Sequence, residues 1–283
     1  MSETSHWEVI VVGAGPAGLT AALYPARYRH RVLVLHDETA RALRIPRTHN
    51  VPGFSQGVAG TELIARMTDH ALHYGARVVQ RRIAAAERRG NRFLLSSDDG
   101  VQWNSRALIL ATGLHLNQIA LDAVAHQAAI DAGALRYCPI CDGFEHTAQR
   151  IAVVGCDTQG AGEALFLRRF SNDVTLIPKA YDELSAAERE RLKRAGITLI
   201  ISPAVGFALE DGKMRVETAD GQSPIFDVVY PALGVRPRTE LAEALGILPD
   251  AQGCLPADAP LKTAIAGVYS AGDVVEGLDQ ICV

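Results

Sequence analysis

The chain has 283 residues, of which 48% are hydrophobic and 21% charged, and its formal net charge at pH 7 is -4. A chain of this length holds about two domains with cores of their own, so no disulfide framework is needed to stabilise it. The mildly negative charge argues against a surface for nucleic acid or for an anionic membrane, and we expect neither as a partner.

The termini and the cysteines indicate the compartment. The N-terminal stretch "MSETSHWE" has neither the basic nor the apolar segment of a signal peptide. The longest apolar stretches, such as "VIVVGAGPAGLTAALYPA", are interrupted by Gly and Pro and are too short to span a bilayer. Cys156, Cys254 and Cys282 are isolated in the sequence, whereas Cys138 and Cys141 form a C-x-x-C. We therefore expect a cytoplasmic protein with one redox or catalytic pair.

Short β-branched runs alternate with helical patterns along the chain. The first series contains, in order, strand "WEVIVVG", helix "AGLTAALYPARY", strand "RVLVLHD", helix "TELIARMTDHALHYG", strands with turns, and buried strand "RALILATG". The second contains strand "RIAVVG", helix "GAGEALFLRRFS", strand "DVTLIP", helix "AAERERLKRAG" and strand "ITLIIS". Paired strands in "KMRVETADGQSPIFDVVYPALG" and a short strand in "AGVYSAGD" follow. This repeated rhythm predicts an α/β fold with two units and mainly parallel sheets.

A glycine-rich loop follows the first strand and opens the first helix. Gly13, Gly15 and Gly18 form the pattern G-x-G-x-x-G, with Pro16 and Ala17 between them. In such a loop the first glycine permits a tight turn, the second lets the backbone approach a pyrophosphate, and the third lets helix and strand pack closely. The N–H groups and the positive dipole end of the helix then face the phosphates. The loop predicts a dinucleotide site.

A ribose-binding carboxylate is expected about 20 residues after such a loop. Asp37 follows the second strand directly and is the candidate, with His36 at the strand end as the alternative.

The segment "YCPICDGFE" carries Cys138, Cys141 and Asp142. Two intervening residues let the sulfurs bridge without strain, and a helix N-terminus beside them would lower one thiol pKa. The adjacent carboxyl group can give or take the proton when a thiolate leaves. Two alternatives stay open: half a zinc site, with His146 as the nearest further ligand, and a pair of structural thiols. The flanking acid and glycine favour the redox pair, and we expect no metal.

With "GAGPAG", "ATG", "CPICDG" and "AGD" in this order and spacing, the chain resembles the low-molecular-weight thioredoxin reductase family. The resemblance implies two Rossmann-like, three-layer nucleotide-binding domains, the second inserted in the first. It implies a split FAD domain at 1–115 and 242–283, and an inserted NAD(P)-like domain with the C-x-x-C at 116–241. A homodimer is also implied, acting on a thioredoxin-like protein or a small dithiol or disulfide.

The resemblance also assigns residue roles. It implies that Cys141 is the sulfur nearest the flavin, that Cys138 exchanges with the substrate, and that Asp142 is the acid and base. The residues that it places at the flavin lie in "THNVPGF", "ATG" and "SAGDVVEGLDQI", namely Asn50, Gly53, Ala111, Thr112, Gly113, Gly272, Asp273, Gln280 and Ile281. Among these, Asp273 would reach the ribityl–phosphate part of FAD, and Gln280 and Ile281 the isoalloxazine edge.

The second nucleotide loop, "VVGCDTQGAG", departs from the family pattern. Gly155 is followed by Cys156 and Asp157, so a carboxylate stands where a pyrophosphate needs bare backbone. A like charge at close range in a partly dry site costs on the order of several kcal/mol. The strand "DVTLIP" ends in Pro178 and the single Lys179, where paired arginines would hold a 2′-phosphate. We therefore expect one bound dinucleotide, FAD, and a degenerate NADPH site.

A degenerate NADPH site leaves four hypotheses for the function and its source of electrons. The first is a disulfide reductase fed by another donor, such as reduced ferredoxin, flavodoxin or free reduced flavin. The second is a dithiol oxidase that uses O₂, although such enzymes typically have His where this chain has Asp142. The third is a flavin redox sensor without turnover, against which the complete "CPICDG" segment argues. An ordinary NADPH-dependent reductase is the fourth.

Overall fold

The computed structural model describes residues 6–180, 183–256, 261–277 and 280–281. The first five residues, Cys282 and two positions of the second flavin motif lie outside them. The chain divides into two compact units. Unit one is Met1–Arg47, Val51–His115 and Arg236–Val283, and unit two is Thr48–Asn50 and Leu116–Val235. Their expected assignment to an FAD domain and an inserted domain stays a prediction.

The elements alternate much as the sequence predicts. The first nine are β1 (His6–Val12), α1 (Pro16–Arg27), β2 (Val32–His36), α2 (Gly60–His73), β3 (Arg77–Gln80), β4 (Ile83–Arg89), β5 (Arg92–Ser97), β6 (Gln102–Leu110) and β7 (Leu114–Leu116). The next nine are α3 (Ala123–Asp131), α4 (Pro139–Asp142), β8 (Arg150–Val154), α5 (Thr158–Leu167), β9 (Asp173–Ile177), α6 (Ala186–Arg194), β10 (Thr198–Leu199), β11 (Ala204–Glu210) and β12 (Lys213–Thr218). The last are β13 (Ile225–Phe226), β14 (Val228–Pro231), β15 (Val235–Pro237), α7 (Glu240–Ala244) and β16 (Val268–Ser270).

Unit one is built on a sheet in the order β3-β2-β1-β6-β5-β4, with β16 also paired to β6. The strands β3, β2, β1, β6 and β16 run parallel, and β5 and β4 are antiparallel. Ile10 and Val12 pack with Phe93 and Leu95 on one face, and Val11 packs with helix residues on the other. The central strands are therefore apolar at successive positions because both faces are covered.

Unit two is built on a parallel sheet in the order β10-β9-β8-β14. Ile151 and Val153 pack against α5 and α6 on one face. Ala152 and Val154 pack on the other face, against α3 and the antiparallel sheet β11-β12-β13. The expected α/β fold with two Rossmann-like units is confirmed, because each unit has a parallel sheet between two layers.

Local differences from the predicted elements have physical causes. Helix α5 begins at Thr158 and ends at Leu167, whereas the sequence predicted 160–171, because Asp157 caps the helix earlier. The strand β11 was not predicted, and it forms an antiparallel pair with β12. In the described part of the chain, no helix is long and apolar enough to cross a membrane.

Candidate functional site

The first glycine loop accepts no side chain at two of its glycines. Gly13 has φ +114°, and a Cβ there would lie 2.0 Å from the carbonyl oxygen of Ala111. At Gly18 a Cβ would lie 2.0 Å from the carbonyl oxygen of Gly13. At Gly15, the N-cap of α1, nothing lies within 4 Å of an added Cβ. The space in front of the helix N-terminus is therefore open, and this cradle fits the pyrophosphate of a dinucleotide.

The second glycine loop repeats this construction in unit two. Gly155 has φ +142°, and an added Cβ would lie 2.3 Å from the carbonyl oxygen of Ala232. At Gly160 an added Cβ would lie 1.8 Å from the carbonyl oxygen of Gly155. The first and third positions of the loop therefore keep their backbone roles. Gly160, which with Gly162 was a candidate for a displaced loop, takes the third position.

The middle position of the second loop differs from the first. Asp157 is the N-cap of α5, and its Oδ1 accepts a hydrogen bond of 2.7 Å from the backbone N–H of Gly160. The carboxylate therefore already accepts one of the N–H groups that a helix N-terminus offers to an anion.

A second carboxyl group lies on the following turn of α5. The side chain of Glu163 accepts a hydrogen bond of 2.9 Å from Gln159. Burial first, and the charge of Asp157 after it, raises the pKa of Glu163 to about 7. The ammonium of Lys179 lies over the ring of Phe207, 5.9 Å from its centroid. Glu163 therefore adds a second carboxyl group near the loop, and Lys179 contacts an aromatic ring.

The C-x-x-C forms a disulfide between Cys138 and Cys141, with 5.3 Å between their Cα atoms. Cys138 is the N-cap of α4, which starts at Pro139, and the Cys141 N–H donates to the Cys138 carbonyl at 2.9 Å. The turn therefore brings the two sulfurs to bonding distance, as the redox reading requires. Over the described residues, no group of three or more His, Cys, Asp or Glu could hold a metal ion.

Two polar side chains contact the carboxyl group of Asp142. The Tyr230 hydroxyl donates to Oδ1 at 2.7 Å, and the Arg136 Nε lies 3.3 Å from Oδ2. Burial raises the pKa of Asp142, while the hydrogen bond from Tyr230 and the charge of Arg136 act in the opposite direction. A carboxyl group with a raised pKa can hold a proton nearer to neutral pH, as an acid in thiol chemistry must. Sequence reasoning missed both donors.

The two partners of Asp142 come from distant parts of unit two. Arg136 precedes the C-x-x-C and also donates to the carbonyl of Ile130 at 2.7 Å. Tyr230 lies in β14 and is completely buried. Arg136 is close enough in sequence to have been considered. Nothing in the sequence around Tyr230 distinguishes it from a core residue of a buried strand.

The carboxylate of Asp37 lies at the end of β2 and is already engaged. It accepts hydrogen bonds from the Thr39 backbone N–H at 3.1 Å and from the Thr39 hydroxyl at 2.6 Å, and Arg238 lies 3.5 Å away. Burial alone would raise the pKa of Asp37, but these hydrogen bonds and the arginine outweigh burial and lower it. For His36, burial lowers the pKa. Asp37 is therefore an anion, as a ribose-binding carboxylate is.

The C-terminal motif packs on the first loop within unit one. A Cβ at Gly272 would lie 2.5 Å from the Cβ of Ala17, so this glycine permits close approach. Asp273 forms an ion pair of 3.1 Å with Arg41, which also brings a positive charge to this end of the unit. Ile281 packs against an apolar cluster that includes Val51.

The remaining predicted positions lie between the regular helices and strands. The Thr112 hydroxyl donates to the Arg238 carbonyl at 2.7 Å, and Gly113 has φ +69°. Asn50 accepts a hydrogen bond of 2.7 Å from Thr48, and Gly53 has φ +92°. The Thr48–Asn50 contact is local, whereas the Thr112–Arg238 contact joins two segments of unit one that are distant in sequence. The flavin roles of these residues and of Gln280 stay predictions.

Comparisons with known proteins give the family. The family model described as pyridine nucleotide-disulphide oxidoreductase matches residues 7–283. The chain is similar to a thioredoxin reductase of Streptomyces coelicolor, with 31% identity over 95% of this chain and 86% of that protein. It is also similar to a bifunctional thioredoxin reductase/thioredoxin of Mycobacterium leprae, with 34% identity over 97% of this chain and 61% of that longer protein.

Among solved structures, that of HlmI superimposes with a TM-score of 0.88 at 28% identity, covering 99% of this chain and 88% of that one. The fold, the disulfide and the open first cradle agree with these likenesses, and the cradle fits FAD. The chain belongs to the pyridine nucleotide-disulphide oxidoreductase family, within which it is a thioredoxin reductase-like FAD oxidoreductase.

Proposed function

We propose that this chain exchanges two electrons with a substrate disulfide or dithiol through Cys138 and Cys141, and that its second loop is a degenerate NADPH site. The disulfide beside a carboxyl group of raised pKa carries the first part of this proposal. The Asp157 cap supports the second part, because it places a negative charge at the helix N-terminus.

The proposed exchange needs two thiol steps. In the reducing direction the Cys138 thiolate attacks one sulfur of the substrate disulfide, forming a mixed disulfide and releasing one substrate thiolate. The Cys141 thiolate then attacks the Cys138 sulfur, which forms the internal disulfide and releases the second substrate thiolate. The substrate gains two electrons and needs two protons, of which Asp142 supplies one. The oxidation of a dithiol is the same sequence in reverse.

Each residue contributes a separate task. FAD, when bound, supplies a two-electron carrier for the cysteine pair. Gly13, Gly15 and Gly18 would hold its pyrophosphate against α1, because only the bare backbone lets the phosphates approach. Asp37 would hold the ribose. Burial keeps the Asp142 proton available at a pH at which an exposed carboxyl group has lost it.

The proposed partner is a thioredoxin-like protein or a small dithiol or disulfide. Ile140 and Phe144 flank Cys141 in sequence and are 60% and 75% exposed. Large apolar side chains at this level of exposure favour a partner with an apolar surface. The expected homodimer, the cytoplasmic location and an electron donor other than NADPH belong to the same proposal.

The test is anaerobic reduction of the FAD-loaded protein by dithiothreitol, followed by the loss of flavin absorbance. We expect rapid bleaching in the unmodified protein and loss of rapid bleaching in Cys138→Ser and Cys141→Ser. Cys254→Ser is the matched control, because it removes a thiol from unit one, outside the pair. Equal bleaching rates in all four proteins would contradict the exchange role, and bleaching of none would favour a sensor without turnover.

A further inference from the structure

The carboxyl group of Asp142 is held from two sides. Its Oδ1 accepts from the Tyr230 hydroxyl at 2.7 Å, and its Oδ2 lies 3.3 Å from the Arg136 Nε. The two donors come from β14 and from the segment that precedes the disulfide, so the fold rather than local sequence brings them together. Both oxygens of the carboxyl group are therefore oriented by a donor.

Both groups are held in place and stay hydrogen-bond donors across the pH range of the experiment. Arg136 also donates from Nη1 to the carbonyls of Ile130 at 2.7 Å and Leu135 at 3.3 Å, which restrains the guanidinium. A guanidinium stays charged at every pH at which a protein is folded. Burial, and after it the charge of Asp142, raises the pKa of Tyr230, so its hydroxyl stays a donor as well. Neither group changes its own protonation state when Asp142 gains or loses a proton.

We propose that Tyr230 and Arg136 are positioning residues that orient the Asp142 carboxyl group and set the pH at which it releases its proton to the thiol chemistry. The inference rests on the proposed acid and base role of Asp142. Hydrogen bonds and positive charge favour the ionised form of a carboxyl group, whereas burial favours the neutral form. The two donors therefore counteract burial and keep Asp142 able to cycle between both forms.

Two other titratable groups face Asp142. His146 is buried, its Nδ1 lies 2.6 Å from the Gln149 side-chain oxygen, and its ring meets the Tyr230 ring edge to face at 5.9 Å. Glu145 lies on the same turn, with its carboxylate 2.9 Å from His49. Tyr230→Phe keeps the aromatic ring and both of these groups, so a change in this variant reports the hydroxyl alone.

The experiment measures the pH dependence of flavin bleaching by dithiothreitol in the FAD-loaded protein, under anaerobic conditions. The variants are Tyr230→Phe, Arg136→Gln and Asp142→Asn. Tyr137→Phe is the matched control, since this phenol bonds His126 at 2.7 Å instead of Asp142. The ionisation of the dithiothreitol thiols affects all variants equally. Thermal melts and the flavin spectrum establish that each variant is folded. If Arg136→Gln does not fold, the result for Tyr230→Phe alone tests the proposal.

We expect the inflection of Tyr230→Phe to move to higher pH by about one unit, the size of one lost hydrogen bond to a charged group. Arg136→Gln should move it in the same direction, and Tyr137→Phe should leave it in place. An inflection at the unmodified position or below it in Tyr230→Phe, together with its loss in Asp142→Asn, would overturn the positioning role alone. If Asp142→Asn keeps the inflection, the acid and base role itself falls.

Discussion

Replacing Asp157 separates the two effects that its carboxylate has on the second loop. Its Oδ1 caps α5 through the Gly160 N–H at 2.7 Å, and its charge stands at the helix N-terminus. Asn caps a helix about as well as Asp, so Asp157→Asn removes the charge and keeps the cap. Asp157→Gly removes both, at a stability cost of only a few tenths of a kcal/mol.

The size of the effect on NADPH can be bounded with Coulomb's law for an assumed separation. Two unit charges about 4 Å apart at an effective dielectric constant of about 20 repel each other by about 4 kcal/mol. The loop is half-buried, so solvent screens part of this repulsion. We expect at least a tenfold tighter Kd for NADPH in Asp157→Asn, which corresponds to about 1.4 kcal/mol. Asp157→Gly should bind more tightly still, because it also releases the Gly160 N–H.

The assay is titration calorimetry with NADPH on the FAD-loaded protein, combined with thermal melts. The matched control uses Asp122, the N-cap of α3, which accepts hydrogen bonds from Val124 and Ala125 at 2.9 Å outside the loop. Asp122→Asn and Asp122→Gly should leave the affinity unchanged. If the folded Asp157 variants bind NADPH no more tightly than the unmodified protein does, the carboxylate is not the obstacle and the reasoning is wrong.

Further predictions concern FAD, the thiols and pH. Gly15→Ala should fold, since nothing lies within 4 Å of the new Cβ, and should bind FAD more weakly. Gly18→Ala should also lose stability, because its Cβ would lie 2.0 Å from a carbonyl oxygen. Thermal melts measure the stability of each variant, and flavin retention measures its FAD binding. Cys138→Ser should leave a Cys141 thiolate visible as a long-wavelength flavin absorbance band, and the absence of this band at every pH would count against Cys141 as the sulfur nearest the flavin. The Glu163 carboxyl group has its pKa raised to about 7, so the folded protein binds its proton more tightly than the unfolded chain, and stability falls as the pH rises from about 4.5 to about 7. Glu163→Gln should therefore raise the free energy of unfolding above pH 7 by about 1 to 3 kcal/mol and change it little below pH 4.5, as urea titrations at both pH values would show.

The fold and the first loop could be read from the sequence because their signals are local. Gly18 is required by its contact with the Gly13 carbonyl within one strand–loop–helix unit, and Gly13 by its φ of +114° in the turn, so the sequence pattern carries both requirements. The Ala111 carbonyl, which also excludes a side chain at Gly13, comes from the segment after β6. The alternation of Ile10, Val11 and Val12 between two faces likewise follows from strand geometry. The C-x-x-C needed only four consecutive residues to predict its disulfide.

The network around Asp142 could not be predicted in this way. Tyr230 reaches Asp142 across 88 positions of sequence, through a strand pairing that no short pattern encodes. The orientation of Asp157 was not predicted, although Asp is a preferred N-cap residue. Its charge was visible in the sequence, but only the backbone of α5 shows that the carboxylate turns toward Gly160 and caps the helix.

The most direct test of the central claim is anaerobic mixing of the FAD-loaded protein with NADPH in a stopped-flow instrument, with dithiothreitol in a parallel sample. The account predicts that the flavin stays oxidised with NADPH over a period in which dithiothreitol bleaches it through Cys138 and Cys141. Rapid and saturable bleaching by micromolar NADPH would contradict the account, because it would show that the second loop binds the nucleotide despite Asp157.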